Sequence, residues 1–146
     1  MRLALASVLL LILVACGSGR PSSTASGKTP CGELYARLQQ VTAALNASSE
    51  LIANSLGTQQ LSEGLAVEED QLRQSARLMA SAPVPAELAA TNDRIVTALR
   101  AMTADFARAK APAARGDFQA AAEAMTDRAA VARIVDASSA IEAACA

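Results

Sequence analysis

Apolar side chains recur at helical spacing from Cys31 to the end of the chain, and this periodicity constrains the fold more than any other feature of the sequence. Steps of three, four and seven residues place such side chains on one stripe of an α-helix. About a quarter of the residues are alanine, which favours helices but buries little surface per side chain. Only 2% are aromatic. We therefore expect an all-α fold with a thin core that needs stabilisation from another source.

Glycine and proline residues divide the periodic region into four segments. Gly57 ends the first segment, and Pro83 and Pro85 end the second. Pro112 and the pair Gly116-Asp117 mark the corner after the third, with Asp117 suited to cap the fourth helix. Four alanine-rich helices joined by short connections predict an up-down-up-down four-helix bundle. The apolar stripes of the first three segments contain Leu34, Leu38, Val41, Leu45, Ile52 and Leu56; Leu61, Leu65, Leu72, Ala76 and Met79; and Leu88, Ile95, Leu99, Met102 and Phe106.

The fourth segment has apolar residues on two nearly opposite faces. A heptad drift of about 20° per repeat is too small to join them into one stripe. Two alternatives follow: a break near Asp127-Arg128, or a continuous helix contacted on two sides. The two faces carry Phe118, Ala122 and Met125 on one side and Ile134, Ser138, Ile141 and Cys145 on the other.

Two polar residues fall on the apolar stripes. Glu68 lies on the second stripe, where an arginine would satisfy its charge; the candidates are Arg73, Arg128 and Arg133. Asn92 lies on the third stripe and is interpreted as a residue that fixes the helix register.

Charge and composition exclude several classes of function. The formal net charge is −1 and histidine is absent, so the chain lacks both the basic excess of nucleic-acid-binding proteins and the commonest general base and metal ligand. The acidic run Glu68-Glu69-Asp70 lacks the spacing of a calcium loop. We expect no catalytic residues, metal or cofactor. Four basic residues of the third helix are interpreted as its solvated face: Arg94, Arg100, Arg108 and Lys110.

The N-terminal segment has the pattern of an export signal. Arg2 precedes an apolar run from Leu3 to Val14, about a dozen residues where a membrane-spanning helix needs about 20. Signal peptides have this length and charge. The run ends in Leu13-Val14-Ala15-Cys16, which resembles the lipobox of bacterial lipoprotein precursors. An ordinary secretory leader that happens to contain a cysteine is the alternative.

The resemblance implies cleavage before Cys16 and a diacylglycerol thioether on its sulfur. Residues 1–15 would be the signal peptide, residues 16–30 an acylated N-terminus with a flexible Gly/Ser/Thr/Pro tether, and residues 31–146 the helical bundle. Lipid of this kind, with acyl chains such as palmitate, anchors a domain to the extracytoplasmic face of the cell membrane. With its alanine-rich, lysine-poor composition, the chain resembles small envelope lipoproteins of actinobacteria, including the mycobacterial type.

If the lipobox accounts for Cys16, the chain retains two cysteines that can pair in an oxidising compartment. Cys31 and Cys145 would lie at the same end of an up-down-up-down bundle, and we expect them to form a disulfide. A pair of redox-active thiols is the alternative, although neither cysteine belongs to a CxxC motif.

For the function, the sequence favours a non-enzymatic lipoprotein whose bundle binds a partner protein of the envelope. The alternative is a carrier or sensor of an apolar ligand, such as a lipid, held between the helices. Both expectations depend on the tether and on the lack of catalytic groups rather than on a recognised motif in residues 31–146.

Overall fold

The computed structural model describes residues 29–146. The predicted signal peptide, Cys16 and nearly all of the predicted tether lie outside the described residues. Within this range the chain is all-helical: it forms five α-helices and no strands. The helices are α1 (Pro30–Ala53), α2 (Thr58–Ala80), α3 (Ala89–Ala114), α4 (Phe118–Ala124) and α5 (Arg128–Cys145), and a 3-10 turn (Ala86–Leu88) precedes α3.

The helices pack as a bundle. α2 lies between α1 and α3, α3 contacts both α4 and α5, and α1 contacts α5. The helices therefore close around a single core. Among the described helices, none combines the length and the apolar character that crossing a membrane requires.

Helix α1 begins where its capping residues permit. The Thr29 side chain accepts a hydrogen bond from the Gly32 amide at 3.2 Å, and Pro30 occupies the first helical position, where a missing N–H is harmless. The helix ends at Ala53, so Leu56, which we placed on its apolar stripe, lies beyond it and is 93% exposed. That part of the predicted stripe is wrong because the helix stops one turn too early to carry Leu56 into the core.

The core consists of the predicted stripes with little aromatic content. Phe106 is buried, whereas Phe118, on one of the two apolar faces of the fourth segment, is 41% exposed at the start of α4. The fully buried large side chains are mostly aliphatic: Leu34, Leu65, Leu72, Met79, Ile95, Leu99 and Ile141. Buried alanines such as Ala98, Ala109 and Ala137 allow the helices to approach closely.

Helix α3 passes through Pro112 and ends just before Gly116-Asp117, within the corner predicted from these residues. It continues to Ala114 and closes with hydrogen bonds from the Gly116 amide to the Ala113 carbonyl and from the Asp117 amide to the Pro112 carbonyl, each 3.0 Å long. This pair of bonds defines a Schellman motif, and Gly116 adopts the left-handed φ of 78° that the motif requires. The proline is accommodated because it removes only one backbone donor in the last turns.

The predicted fourth helix is two helices, which decides between the two alternatives left by the sequence. Asp117 caps α4 and accepts a hydrogen bond from the Ala120 amide at 3.0 Å, as predicted. Asp127 caps α5 in the same way and accepts from the Ala130 amide at 2.9 Å. The second cap starts a new helix between the two apolar faces, so each face packs from its own helix.

A disulfide joins Cys31, in the first turn of α1, to Cys145, the last residue of α5. Their Cα atoms are 5.2 Å apart across a sequence separation of 114 residues. The predicted pairing is confirmed, and it links the two ends of the described chain.

Replacing Gly116 by alanine should destabilise the domain by about 1 kcal/mol, because an L-residue with a side chain is strained at this φ. Thermal or chemical unfolding of the purified protein measures the change. Gly57→Ser is the matched control, since Gly57 is an extended N-cap where an added Cβ would meet no atom within 4 Å. An unchanged Gly116→Ala midpoint would contradict the Schellman ending.

Candidate functional site

Helices α2 and α3 enclose a surface groove lined by arginine side chains. Its volume is about 230 Å³ and it is open to solvent on one side. Ala76 forms its buried floor, and its small side chain leaves the space open. The residues that line this arginine groove are Arg73, Ala76, Arg77, Arg100 and Thr103.

The three arginines differ in how their charge is compensated. Arg73 forms ion pairs with Glu69 and with Asp70, both on its own helix. Among the described residues, neither Arg77 nor Arg100 has a carboxylate oxygen within salt-bridge distance. The groove therefore carries two guanidinium groups whose charge no neighbouring side chain neutralises.

Beside the arginine groove, an ion pair links α2 to α3. Lys110 of α3 reaches Glu69 of α2, with Nζ and Oε2 2.5 Å apart. The hydrogen bond from Lys110, its charge and that of Arg73 together lower the pKa of Glu69, against the opposing effect of burial. Glu69 thus stays ionised and ties α2 to α3 beside the groove.

The Thr103 hydroxyl is already used. Thr103 Oγ1 donates to the Leu99 carbonyl at 2.8 Å. A hydroxyl has one proton, so in this arrangement an anion in the groove would be bound by guanidinium N–H groups.

Sequence reasoning did not find this groove. It assigned Arg100 to a solvated face of the third helix, and Arg77 entered no interpretation. Arginines on α2 and α3 become neighbours only because the two helices pack side by side. A chain with net charge −1 gives no compositional signal of a local positive surface.

A second groove lies on the other side of α2, between α2 and α1. It has a volume of about 240 Å³, and its polar lining is mainly glutamine amide rather than charge. The lining residues are Gln40, Val41, Ala44, Gln71, Gln74, Ser75 and Leu78. This groove can offer neutral hydrogen bonds but no charge complementarity.

Glu68 is buried between α2 and α1, with 4% of its surface exposed. The group that contacts its carboxyl is Ser48, and the predicted arginine partner is wrong: Arg73 turns towards Glu69 and Asp70 instead. Burial raises the pKa of Glu68 to about 7, and the hydrogen bond with Ser48 only partly opposes this shift.

The other hydrogen bonds of Ser48 limit how much it can stabilise a charged Glu68. Ser48 Oγ donates to the backbone carbonyls of Ala44 and Leu45 at 3.1 and 3.2 Å. Because these carbonyls share its single proton, Ser48 compensates the Glu68 carboxylate only weakly. Glu68 Oε2 has no hydrogen-bond partner within the described part of the chain, which again disfavours the charged form.

Stability should therefore fall as pH rises through the range from 4.5 to about 7, because the folded state binds the Glu68 proton more tightly than the unfolded state does. Below that range Glu68 is protonated in both the folded and the unfolded state, and its burial carries no charge penalty. Above that range its ionisation lowers the free energy of unfolding by about 3 kcal/mol. Glu68→Gln removes the ionisation and should be more stable than the wild type at alkaline pH.

Urea unfolding at a series of pH values measures this effect. Glu50→Gln, on the exposed surface of α1, is the control and should leave the pH dependence of the wild type in place. Parallel pH profiles for the wild type and Glu68→Gln would contradict the assignment.

Asn92 also lies buried, at the interface between α2 and α3. Its Nδ2 donates to the Met79 carbonyl at 3.1 Å, in the last turn of α2. The bond fixes the position of α3 along α2, which agrees with the interpretation of Asn92 as a register residue.

The predicted site residues fall into two groups. Cys31 and Cys145 are brought together, whereas Cys16 lies outside the described residues. In residues 29–146 no three His, Cys, Asp or Glu side chains lie close enough to hold a metal ion. Comparison of this chain with protein-family models, curated proteins and solved structures finds no significant match.

Proposed function

We propose that the mature protein is a lipid-anchored lipoprotein on the extracytoplasmic face of the cell membrane, whose helical bundle binds a partner protein of the envelope and catalyses no reaction. The observation that carries this proposal is the arginine groove. Arg77 and Arg100 present uncompensated charge in a concave, solvent-accessible surface, which is suited to recognition of another molecule.

The disulfide supports the extracytoplasmic part of the proposal. Disulfides persist in oxidising compartments and are rare in the cytosol. The bond between Cys31 and Cys145 accounts for two of the three cysteines, and Cys16 is the third. The position of Cys16 in a lipobox-like sequence accounts for it as the acylation site.

The geometry of the bundle supports the anchoring scheme. We interpret the five helices as an up-down-up-down bundle whose fourth element is divided into α4 and α5. The tether would join the domain at Thr29, beside the disulfide, so the lipid anchor would be attached to the cross-linked end of the bundle. The groove lies on the flank formed by α2 and α3.

The lack of histidine supports a non-enzymatic role, because it removes the commonest general base of hydrolytic and transfer reactions. An apolar-ligand carrier receives less support than a protein-binding module. Both described grooves are open to solvent and carry arginine or glutamine side chains, whereas lipid carriers need an enclosed apolar cavity.

Site-specific photo-crosslinking in intact cells tests the proposal. With a photoreactive residue replacing Thr103, we expect one reproducible protein adduct, because Thr103 lines the groove. The same residue at Gln119, on the exposed surface of α4, is the matched control and should not give that adduct.

Cys16→Ala should release the chain from the membrane fraction and abolish the adduct. A photoreactive residue in the groove that traps no specific protein, in cells where the lipidated chain is present, would overturn the proposal. A chain that stays in the membrane fraction after Cys16→Ala would overturn the anchoring.

A further inference from the structure

The charges of the arginine groove define what it can bind. Arg73 is held by Glu69 and Asp70, so it contributes little free charge. Arg77 and Arg100 approach the groove from different helices, and each retains its full set of guanidinium donors within the described chain. Two such donors facing one cavity are complementary to an oxyanion.

The shape of the groove narrows the ligand class further. A concave space of about 230 Å³ admits a protruding side chain. A bilayer surface is broad and planar, and Asp70, with two thirds of its side chain exposed, would face anionic headgroups at the rim. The surface is therefore better suited to a carboxylate that projects from a polypeptide than to a membrane.

We propose that the arginine groove binds a glutamate or aspartate side chain from an acidic segment of the partner protein, held between Arg77 and Arg100. The carboxylate receives guanidinium N–H bonds from both helices, and Ala76 leaves room for its methylene groups. This inference rests on the proposed protein-binding function and adds the chemistry of the partner.

The inference predicts a specific pattern of mutational effects. Arg77→Ala with Arg100→Ala should weaken binding of an acidic peptide by about tenfold or more, since each arginine contributes charge-assisted hydrogen bonds. Arg77→Lys with Arg100→Lys keeps the charge but loses the planar donor pair, so its effect should be intermediate. Arg115→Ala with Arg128→Ala removes the same charge from exposed sites outside the groove and should change binding little.

Fluorescence anisotropy with the purified full-length chain in detergent provides the test. The probe is a short fluorescein-labelled peptide of alternating glutamate and serine, and the reference is the same peptide with glutamine in place of glutamate. We expect binding of the glutamate peptide alone, weakened by salt. Circular dichroism confirms that each variant remains folded.

Failure of the glutamate peptide to bind would overturn the inference, and so would each of three more specific outcomes. The first is equal binding of the glutamine peptide, and the second is equal weakening by the Arg115/Arg128 control. The third is binding of inorganic phosphate, or of vesicles containing an anionic phospholipid, without binding of the glutamate peptide.

The test separates this inference from the proposed function. An adduct from position 103 in cells combined with no peptide binding would mean that a partner docks through other chemistry. Peptide binding without any adduct would instead remove the cellular partner and leave the carboxylate specificity of the groove intact.

Discussion

The disulfide between Cys31 and Cys145 is the constraint on which the rest of the domain depends. The bond closes a loop of 114 residues and so restricts the unfolded chain, for which chain-entropy estimates give about 4–5 kcal/mol. That is close to the whole stability of many small domains. The bundle buries mainly alanine and aliphatic side chains and one aromatic, Phe106. A covalent link between the first and last helices compensates for this thin core, because it lowers the conformational entropy of the unfolded chain without requiring more buried area.

The buried polar side chains of the bundle differ in whether their surroundings compensate them. Asn92 donates to the end of α2 and fixes the register of α3. Glu68 is buried beside Ser48, and burial raises its pKa to about 7. The same helix α2 thus carries a carboxylate that is disfavoured in the charged form and, one residue later, Glu69, whose charge is stabilised by Lys110 and Arg73. Which side of the helix a residue occupies decides between the two outcomes.

Periodicity was sufficient to predict most of the fold. The positions of α2 and α3 and the capping role of Asp117 followed from stripe residues and from local capping chemistry. The pairing of Cys31 with Cys145 followed from the lipobox-like sequence together with the expected topology. Errors occurred where a boundary depended on competing local effects. The predicted first stripe extended to Leu56, but α1 ends at Ala53.

The arginine groove could not be predicted for a different reason. Arg77 and Arg100 are ordinary surface positions on their own helices, and their proximity depends on the packing of α2 against α3. The prediction of an arginine partner for Glu68 was wrong for the same reason. Sequence spacing indicated Arg73 as a candidate, but Arg73 forms ion pairs with Glu69 and Asp70. Helical periodicity specifies which face a residue occupies and leaves its neighbour across the interface undetermined.

The free energy of unfolding with and without the disulfide tests most directly whether a cross-link between the ends sustains a weakly cored bundle. Guanidinium denaturation of the oxidised wild type and of the Cys31→Ser/Cys145→Ser double variant, which leaves no free thiol in the domain, gives the two values. We predict that the double variant loses about 4 kcal/mol and is largely unfolded at physiological temperature. Equal midpoints with equal slopes for the two proteins would show that the helices hold together without the bond, and would contradict the central role assigned to it.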